Sequence, residues 1–257
     1  MSEASFVSVA RYVAWRNIRV FLSTPALLLP SILFPLFFLI AFSGALGAIA
    51  GGGDDGQADY TAFQYDFALL QAAGYTGAMG GFALAEDFET GFMPRLMVAA
   101  PNRSAILVGY TLGIVFRGIL VGSVLTGVGF VLGMSVDGGP LDLLGLFALF
   151  LLILVATTLW ALAVALFVRS FKAAPGMALP IFLSLFLTPV FVPLAALTGW
   201  LHSVARFNPL TRVVEAGRGF ISGSPTDVVS SFVVAGGLTA FVVVWALFGI
   251  RSAEKAG

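Results

Sequence analysis

Cysteine is absent from the 257-residue chain, so disulfides, thiolate nucleophiles and thiolate metal sites are excluded. Histidine occurs once, at His202; a two-histidine zinc pair cannot form, and the residue reads as a polar group at a membrane interface. Lysine occurs only at Lys172, behind Phe171, and at Lys255, behind Glu254. A phosphate loop of the form GxxxxGK[ST] needs a lysine directly after glycine, with backbone amides cradling the phosphates. The chain therefore does not hydrolyse ATP by that route, and its residues assemble no catalytic or metal-binding set. Charge of either sign is scarce, at 10% of residues against about 25% in a soluble domain. The 13 Lys+Arg balance the 13 Asp+Glu, which argues against nucleic acid as a partner.

Apolar residues fill the remainder. They make up 59% of the chain, with a mean hydropathy of +1.02, and this composition belongs to a membrane protein. The gaps between charges mark the spans. No charge falls in 67–85, 143–168, 173–205 or 228–250, none between Arg19 and Asp54, and only Arg117 interrupts 104–136. A helix needs about 20 apolar residues to cross the hydrocarbon. Six spans are predicted, near 25–44, 67–85, 105–134, 143–168, 174–193 and 228–250.

Short cytoplasmic loops retain positive charge during insertion. With the N-terminus inside, nine residues face the cytoplasm, namely Arg11, Arg16, Arg19, Arg95, Arg103, Arg169, Lys172, Arg251 and Lys255, against three outside, Arg206, Arg212 and Arg218. Asp54, Asp55, Asp59, Asp66, Asp137 and Asp142 then lie outside, and both termini are predicted cytoplasmic. The Asn102-Arg103-Ser104 glycosylation triplet falls inside, where that modification does not occur. Ala48-Ile49-Ala50 resembles a signal-cleavage site, but a leader of that length exceeds the usual span of about 15–30 residues.

Residues 5–21 carry helical periodicity. Phe6, Val9, Ala10, Val13 and Val20 fall on one side, and Ser5, Ser8, Arg11, Tyr12, Arg16 and Arg19 on the other. This predicts a basic amphipathic helix at the inner membrane surface, with Tyr12 and Trp15 at headgroup level. The Gly-rich acidic stretch 45–60 reads as a flexible outer loop. Gly77/Gly81, Gly109/Gly113, Gly118/Gly122 and Gly129/Gly133 make small-xxx-small pairs, which let helix backbones approach closely inside the bundle. Pro25, Pro30 and Pro35 punctuate the first span, and Pro175, Pro180, Pro189 and Pro193 the fifth, so both bend. No soluble domain interrupts the chain, and 1–257 reads as one transmembrane domain.

Intramembrane acids, the usual relays of secondary transporters, are missing from the span cores; Asp66 and Glu86 sit at borders. Arg117 is the one deep charge, and it should face protein or a cavity. The inner segment 86–107, EDFETGFMPRLMVAAPNRSAIL, is the informative one. Glu86, Asp87 and Glu89 open it, Gly91 and Pro94 break it, Leu96, Met97 and Val98 form an apolar ridge before Pro101, and Arg103 closes it. A short apolar helix between turns, behind an acidic start, suits a partner's groove; by itself it equally describes a loop resting on lipid. Farther on, Asn208 can cap a short outer helix with Pro209 in its first turn. Arg212, Glu215 and Arg218 share one face of it and can pair.

The order Glu86, Asp87, Gly91, Arg95, Leu96, Pro101, Arg103 and Ser104 resembles the coupling-helix region of type-2 ABC transporter permeases, especially the daunorubicin-resistance-like exporters. RFNPLTRVVEAGRGFISG, residues 206–223, resembles the family's outer segment before the last span, and Pro94 departs from the coupling pattern. The resemblance implies an all-α membrane protein of six spans, with an N-terminal interfacial helix and an outer re-entrant helical segment at 195–223. It implies the permease subunit of an ATP-driven exporter of hydrophobic or amphiphilic compounds, in a bacterial plasma membrane. ATP and Mg would bind cytoplasmic ATPase subunits, docked on 86–103 through Glu86, Asp87, Glu89, Gly91, Arg95, Leu96, Met97, Pro101 and Arg103. A second copy or a homologous permease would complete a pathway or gate involving Arg117, Arg212, Glu215 and Arg218. The 25 Phe agree with an apolar substrate, as they do with lipid-facing surface. A secondary transporter or channel, and a membrane scaffold, are the rival readings.

Overall fold

Long apolar runs bounded by charge, glycine and proline fold as helices. The structure, a computed structural model, describes residues 5–50, 54–100 and 102–254. Among the described residues there are ten α-helices and no strand. They are α1 (Phe6–Ser23), α2 (Pro25–Ala50), α3 (Asp54–Glu89), α4 (Phe92–Ala99), α5 (Ser104–Val131), α6 (Pro140–Val168), α7 (Ala174–Phe186), α8 (Gly199–Phe207), α9 (Pro209–Ile221) and α10 (Val228–Glu254). The stretch expected as a flexible loop at 45–60 is helical on both sides, because α2 continues to Ala50 and α3 begins at Asp54.

Four helices are long and apolar enough to cross a membrane: Pro25–Gly47, Ser104–Val131, Pro140–Val168 and Val228–Ala253. They coincide with four of the expected spans. The other two expected spans, 67–85 and 174–193, depart for different reasons. At 36 residues, α3 extends about 54 Å, which is ample length, but Asp59, Gln64, Asp66 and Gln71 dilute its hydropathy. It tolerates them because it stands at the centre of the bundle, against α2, α5, α6, α7 and α9, with every residue of 67–73 buried. By contrast, α7 has 13 residues, about 20 Å, short of the ~30 Å hydrocarbon. The continuous helix expected through 193 stops at Phe186, since Pro189 and Pro193 offer no amide hydrogen and Pro189 disfavours helical backbone at Thr188.

Glycine sets the closest contacts. A Cβ on Gly109 would lie 2.6 Å from Val13 Cβ and 2.7 Å from the Ala10 carbonyl oxygen, and one on Gly113 would lie 2.8 Å from Asn17 Cβ. Val13 and Asn17 therefore step along α5 in register with Gly109 and Gly113, and α1 runs beside the first half of α5 in the same direction. Val9, Ala10, Val13, Ala14 and Phe21 form the buried face of α1. Phe6 and Val20, expected there, are exposed. Gly77 and Gly81 admit Thr157 and Ala161 of α6 to α3 in the same way, so these glycine pairs serve internal packing.

Pro180 lies inside α7, where its missing amide frees the carbonyl four residues back. Trp160 of α6 donates its indole N–H to that carbonyl, Gly176 O, at 3.1 Å, which fixes the bend of α7 against α6. Beyond the broken segment, α8 and α9 meet at Asn208. Its side chain accepts the Leu210 amide at 3.0 Å as the expected cap and donates to Ser184 O of α7 at 2.6 Å.

Candidate functional site

Residues of the 86–107 segment gather where α1, α3, α4 and α5 meet. Asp87, 8% exposed, accepts two hydrogen bonds from Arg16, Nη1 to Oδ2 at 2.8 Å and Nη2 to Oδ1 at 2.7 Å. The Tyr110 hydroxyl of α5 donates to the same Oδ2. The Arg16 guanidinium also stands 3.9 Å from the centroid of Phe92, the first residue of α4. Burial pulls the Arg16 pKa down, yet its hydrogen bonds to Asp87 and the carboxylate's charge outweigh that and hold it above the ordinary value. One buried carboxylate thus joins the amphipathic helix, the end of α3 and the start of α5.

Glu89 ties a second element to this end. Its Oε1 accepts the Ser170 hydroxyl at 2.7 Å and the Phe171 amide at 2.8 Å, linking α3 to the turn between α6 and α7. Those two donors hold the Glu89 carboxyl below the usual carboxylate range. Gly91, at φ +73, sits in the left-handed region that a side chain rarely adopts, and this lets the chain reverse from α3 into α4. Arg95 Nε returns to Gly91 O at 3.0 Å, and Arg103 Nε donates to Met97 O at 3.2 Å near the end of α4. At the same end, Arg169 Nη2 donates to Ser252 O of α10 at 2.7 Å. Both α1 and the C-terminal end of α10 therefore lie on the side of α4.

The expected apolar ridge does not face one way. Met97 is buried in the core with Tyr110 and Ile106, Leu96 is half-buried, and Val98 is 87% exposed. The solvent-facing side of α4 consists of Pro94, Arg95, Val98 and Ala99, all exposed, while Glu86, next to the buried Asp87, is exposed as well. Pro101 lies outside the described residues. Sequence reasoning placed Asp87 in this site but missed Arg16, Tyr110, Phe92 and Ser170. The only available signal was that a carboxylate next to an apolar span needs a cation, and the nearest candidates in space are 71 positions away.

The residues of the 206–223 segment are arranged differently from expectation. Arg218 forms no ion pair with Glu215; it donates to three carbonyls, Phe63 O at 3.1 Å, Pro189 O at 2.7 Å and Val190 O at 3.0 Å. Its guanidinium lies 3.5 Å from the Phe63 ring centroid. The broken end of α7 exposes free carbonyls, and an arginine with five donors satisfies them. Arg212 points away and is exposed. Asp66, read from sequence as a border residue, is 2% exposed and packs against Gly217 of α9. Asp59, Phe63, Asp137 and Arg218 line a cleft of about 370 Å³.

Arg117 faces protein, as expected, at 7% exposed. Its guanidinium lies 4.4 Å from the Phe21 ring centroid, and its Nε and Nη2 have no hydrogen-bond partner. An aromatic face thus stands against the guanidinium in place of a hydrogen-bond acceptor at those two nitrogens. Above it, rings of α2, α3 and the α7 region form a column: Phe34 with Tyr75 at 5.2 Å, Phe38 with Phe186 at 5.7 Å, and Phe42 with Phe191 at 4.6 Å between centroids.

The helical pattern from α1 to α9 carries the signature that decides the family, since residues 9–221 match the ABC-2 type transporter family. The chain belongs to that family. Its match takes in the whole α3–α4–α5 junction and the α8–α9 pair. A daunorubicin resistance ABC transporter permease protein of Streptomyces coeruleorubidus is 26% identical over 225 residues, covering 87% of this chain and 78% of that protein. A probable doxorubicin resistance ABC transporter permease protein of Mycobacterium tuberculosis is 23% identical over 229 residues, covering 87% of this chain and 81% of that protein. The resemblance read from Glu86–Ser104 and 206–223 holds at the level of the family. This ABC-2 type permease is accordingly a membrane protein.

Proposed function

We propose that the chain is the permease subunit of an ATP-driven exporter, energised by a separate ATPase polypeptide that binds ATP and Mg and docks on α4. The observation that carries this reading is the junction at Asp87. Arg16 and Tyr110 hold the carboxylate, and Glu89 two residues on holds the α6–α7 turn, so a displacement of α4 is delivered to α1, α3, α5 and α7 together. Glu86, Glu89, Gly91, Arg95, Leu96, Met97, Pro101 and Arg103 form the coupling segment around it. The exposed contacts are expected from Glu86, Arg95 and Val98, and Met97 acts from within.

In the proposed topology α2, α3, α5, α6, the α7 segment and α10 make six passages, with both termini and α4 in the cytoplasm. The pair α8–α9 folds back into the outer leaflet, and Arg212, Glu215 and Arg218 sit at the pathway mouth. A second copy or a homologous permease encloses the pathway, toward which Arg117 contributes its unsatisfied donors. The aromatic column favours hydrophobic or amphiphilic substrates, in keeping with relatives named for daunorubicin and doxorubicin resistance.

Affinity capture of the tagged permease from membranes, followed by mass spectrometry, tests the partner: an ABC ATPase at stoichiometric yield is expected, and its absence under mild solubilisation overturns the reading. In this Cys-free chain, Arg212→Cys should react with a membrane-impermeant maleimide from outside and Val98→Cys only from inside. The reverse pattern inverts the topology.

A further inference from the structure

Between α1 and α5 runs a groove of about 1040 Å³, lined among others by Phe6, Arg11, Tyr12, Trp15, Val108 and Leu112. We propose that it holds one anionic glycerophospholipid of the inner leaflet. The leaflet rests on the proposed topology; the binding chemistry does not.

The groove is graded from charged to apolar. At the α1 side Arg11, Tyr12 and Trp15 are exposed, a cation flanked by the two ring types that settle at headgroup level. At the α5 side Val108 and Leu112 begin an exposed apolar stripe that continues through Phe116 and Ile119, at spacings of four, four and three that keep one helix face. From 108 to 119 the helix rises about 16 Å, close to half of the ~30 Å hydrocarbon thickness. An acyl chain laid on that stripe reaches the bilayer midplane while its phosphate remains beside Arg11.

Charge complementarity selects an anionic headgroup over a neutral one. The helix α1 carries Arg11, Arg16 and Arg19 and no acid. Arg16 is neutralised by Asp87 in the one ion pair among the described residues. Arg11 and Arg19 are exposed and are left to solvent or lipid, while Glu3, the acid ahead of α1, lies outside the described residues. Near an anionic surface each such cation strengthens association by about fivefold. Because α1 is clasped to the α3 end through Arg16, a lipid seated here also steadies the helix that the coupling segment leans on.

The test uses the full-length permease in bilayers of phosphatidylcholine containing equal traces of spin-labelled phosphatidylglycerol and spin-labelled phosphatidylcholine. Electron paramagnetic resonance reads the fraction of each that is immobilised, and native mass spectrometry counts lipids that survive detergent exchange. One retained phosphatidylglycerol per chain is expected, preferred over phosphatidylcholine. Arg11→Gln should cut that preference about fivefold. Leu112→Trp, which fills the apolar floor, should abolish retention, and Arg251→Gln, at the exposed end of α10, should change nothing. Equal retention of the two lipids overturns the proposal, as does an equal loss in Arg251→Gln, which would mark a diffuse basic surface. A lipid-free dimer with Tyr12 and Trp15 protected would assign the groove to a second copy of the chain and overturn it as well.

Discussion

Arg16 and Asp87, joined by two hydrogen bonds of 2.8 and 2.7 Å across 71 positions, hold the amphipathic helix to the C-terminal end of the central helix. The pair is unequal. Arg16 is 28% exposed at its side chain and Asp87 11%, so only the arginine can turn to water when its partner is lost. Arg16→Gln, which strands the carboxylate with Tyr110 alone, should destabilise the permease by about 2 kcal/mol, and Asp87→Asn by about 1 kcal/mol. Thermal unfolding in detergent should show the double variant little worse than Arg16→Gln. Additive losses would mean that the two residues act independently.

Glu89 sets an acid limit on the contact between α3 and the α6–α7 turn. Its folded carboxyl is held below the usual carboxylate range by Ser170 and Phe171. A depressed carboxyl contributes stability that is present above its unfolded pKa and is lost as pH falls through the folded one. Hydrogen exchange at the Phe171 amide should therefore stay slow down to about pH 4.5 and speed up below it. Glu89→Gln should make exchange fast at every pH; an unchanged acid limb in that variant rejects the assignment.

The two neighbours Met97 and Val98 should separate folding from docking. Met97 is 8% exposed and Val98 is 87% exposed. Met97→Asp buries an unpaired charge and should cost several kcal/mol, with loss of membrane yield. Val98→Asp should change stability by less than about 0.5 kcal/mol and yet release the ATPase on co-purification. ATPase retained at full yield by Val98→Asp removes α4 as the docking surface.

Trp160 and Pro180 form a compensating couple through Gly176 O. Trp160→Phe should cost about 1 kcal/mol by orphaning that carbonyl. In a Pro180→Ala background the restored amide takes the carbonyl, and the same change should lose only its packing share. A double-mutant cycle measured by detergent thermal shift reads the difference directly. Equal cost of Trp160→Phe in both backgrounds would deny the couple.

The spans at 25–44, 105–134, 143–168 and 228–250 were legible because a helix facing lipid on one side must be apolar along its length. Asn208 was legible for a local reason, since capping involves only neighbours in sequence. The uncharged stretch 67–85 was readable as helical, but its central position was not: Gln64, Asp66 and Gln71 look like liabilities until five helices surround them. The fifth span was overextended because its residues stay apolar past Phe186, and prolines, not polarity, end the helix. Arg218 was expected to pair with Glu215 on the local spacing of three. It turns instead to carbonyls at Phe63, Pro189 and Val190 that exist only because α7 breaks nearby. The Arg16–Asp87 clasp left no local trace.

The central placement of α3 bears on how the chain is made. A helix carrying Gln64, Asp66 and Gln71 gains little by entering lipid alone, where a single central acid costs about 2.5–3.5 kcal/mol. Its shielding face includes Thr157, whose hydroxyl reaches Ala73 O at 3.1 Å, and Thr157 is synthesised 84 residues after Ala73. The contacts that shield α3 are thus incomplete until α6 has been synthesised. The α3–α6 packing can form only after α6 has been made, so the order of translation and the order of packing differ in this chain.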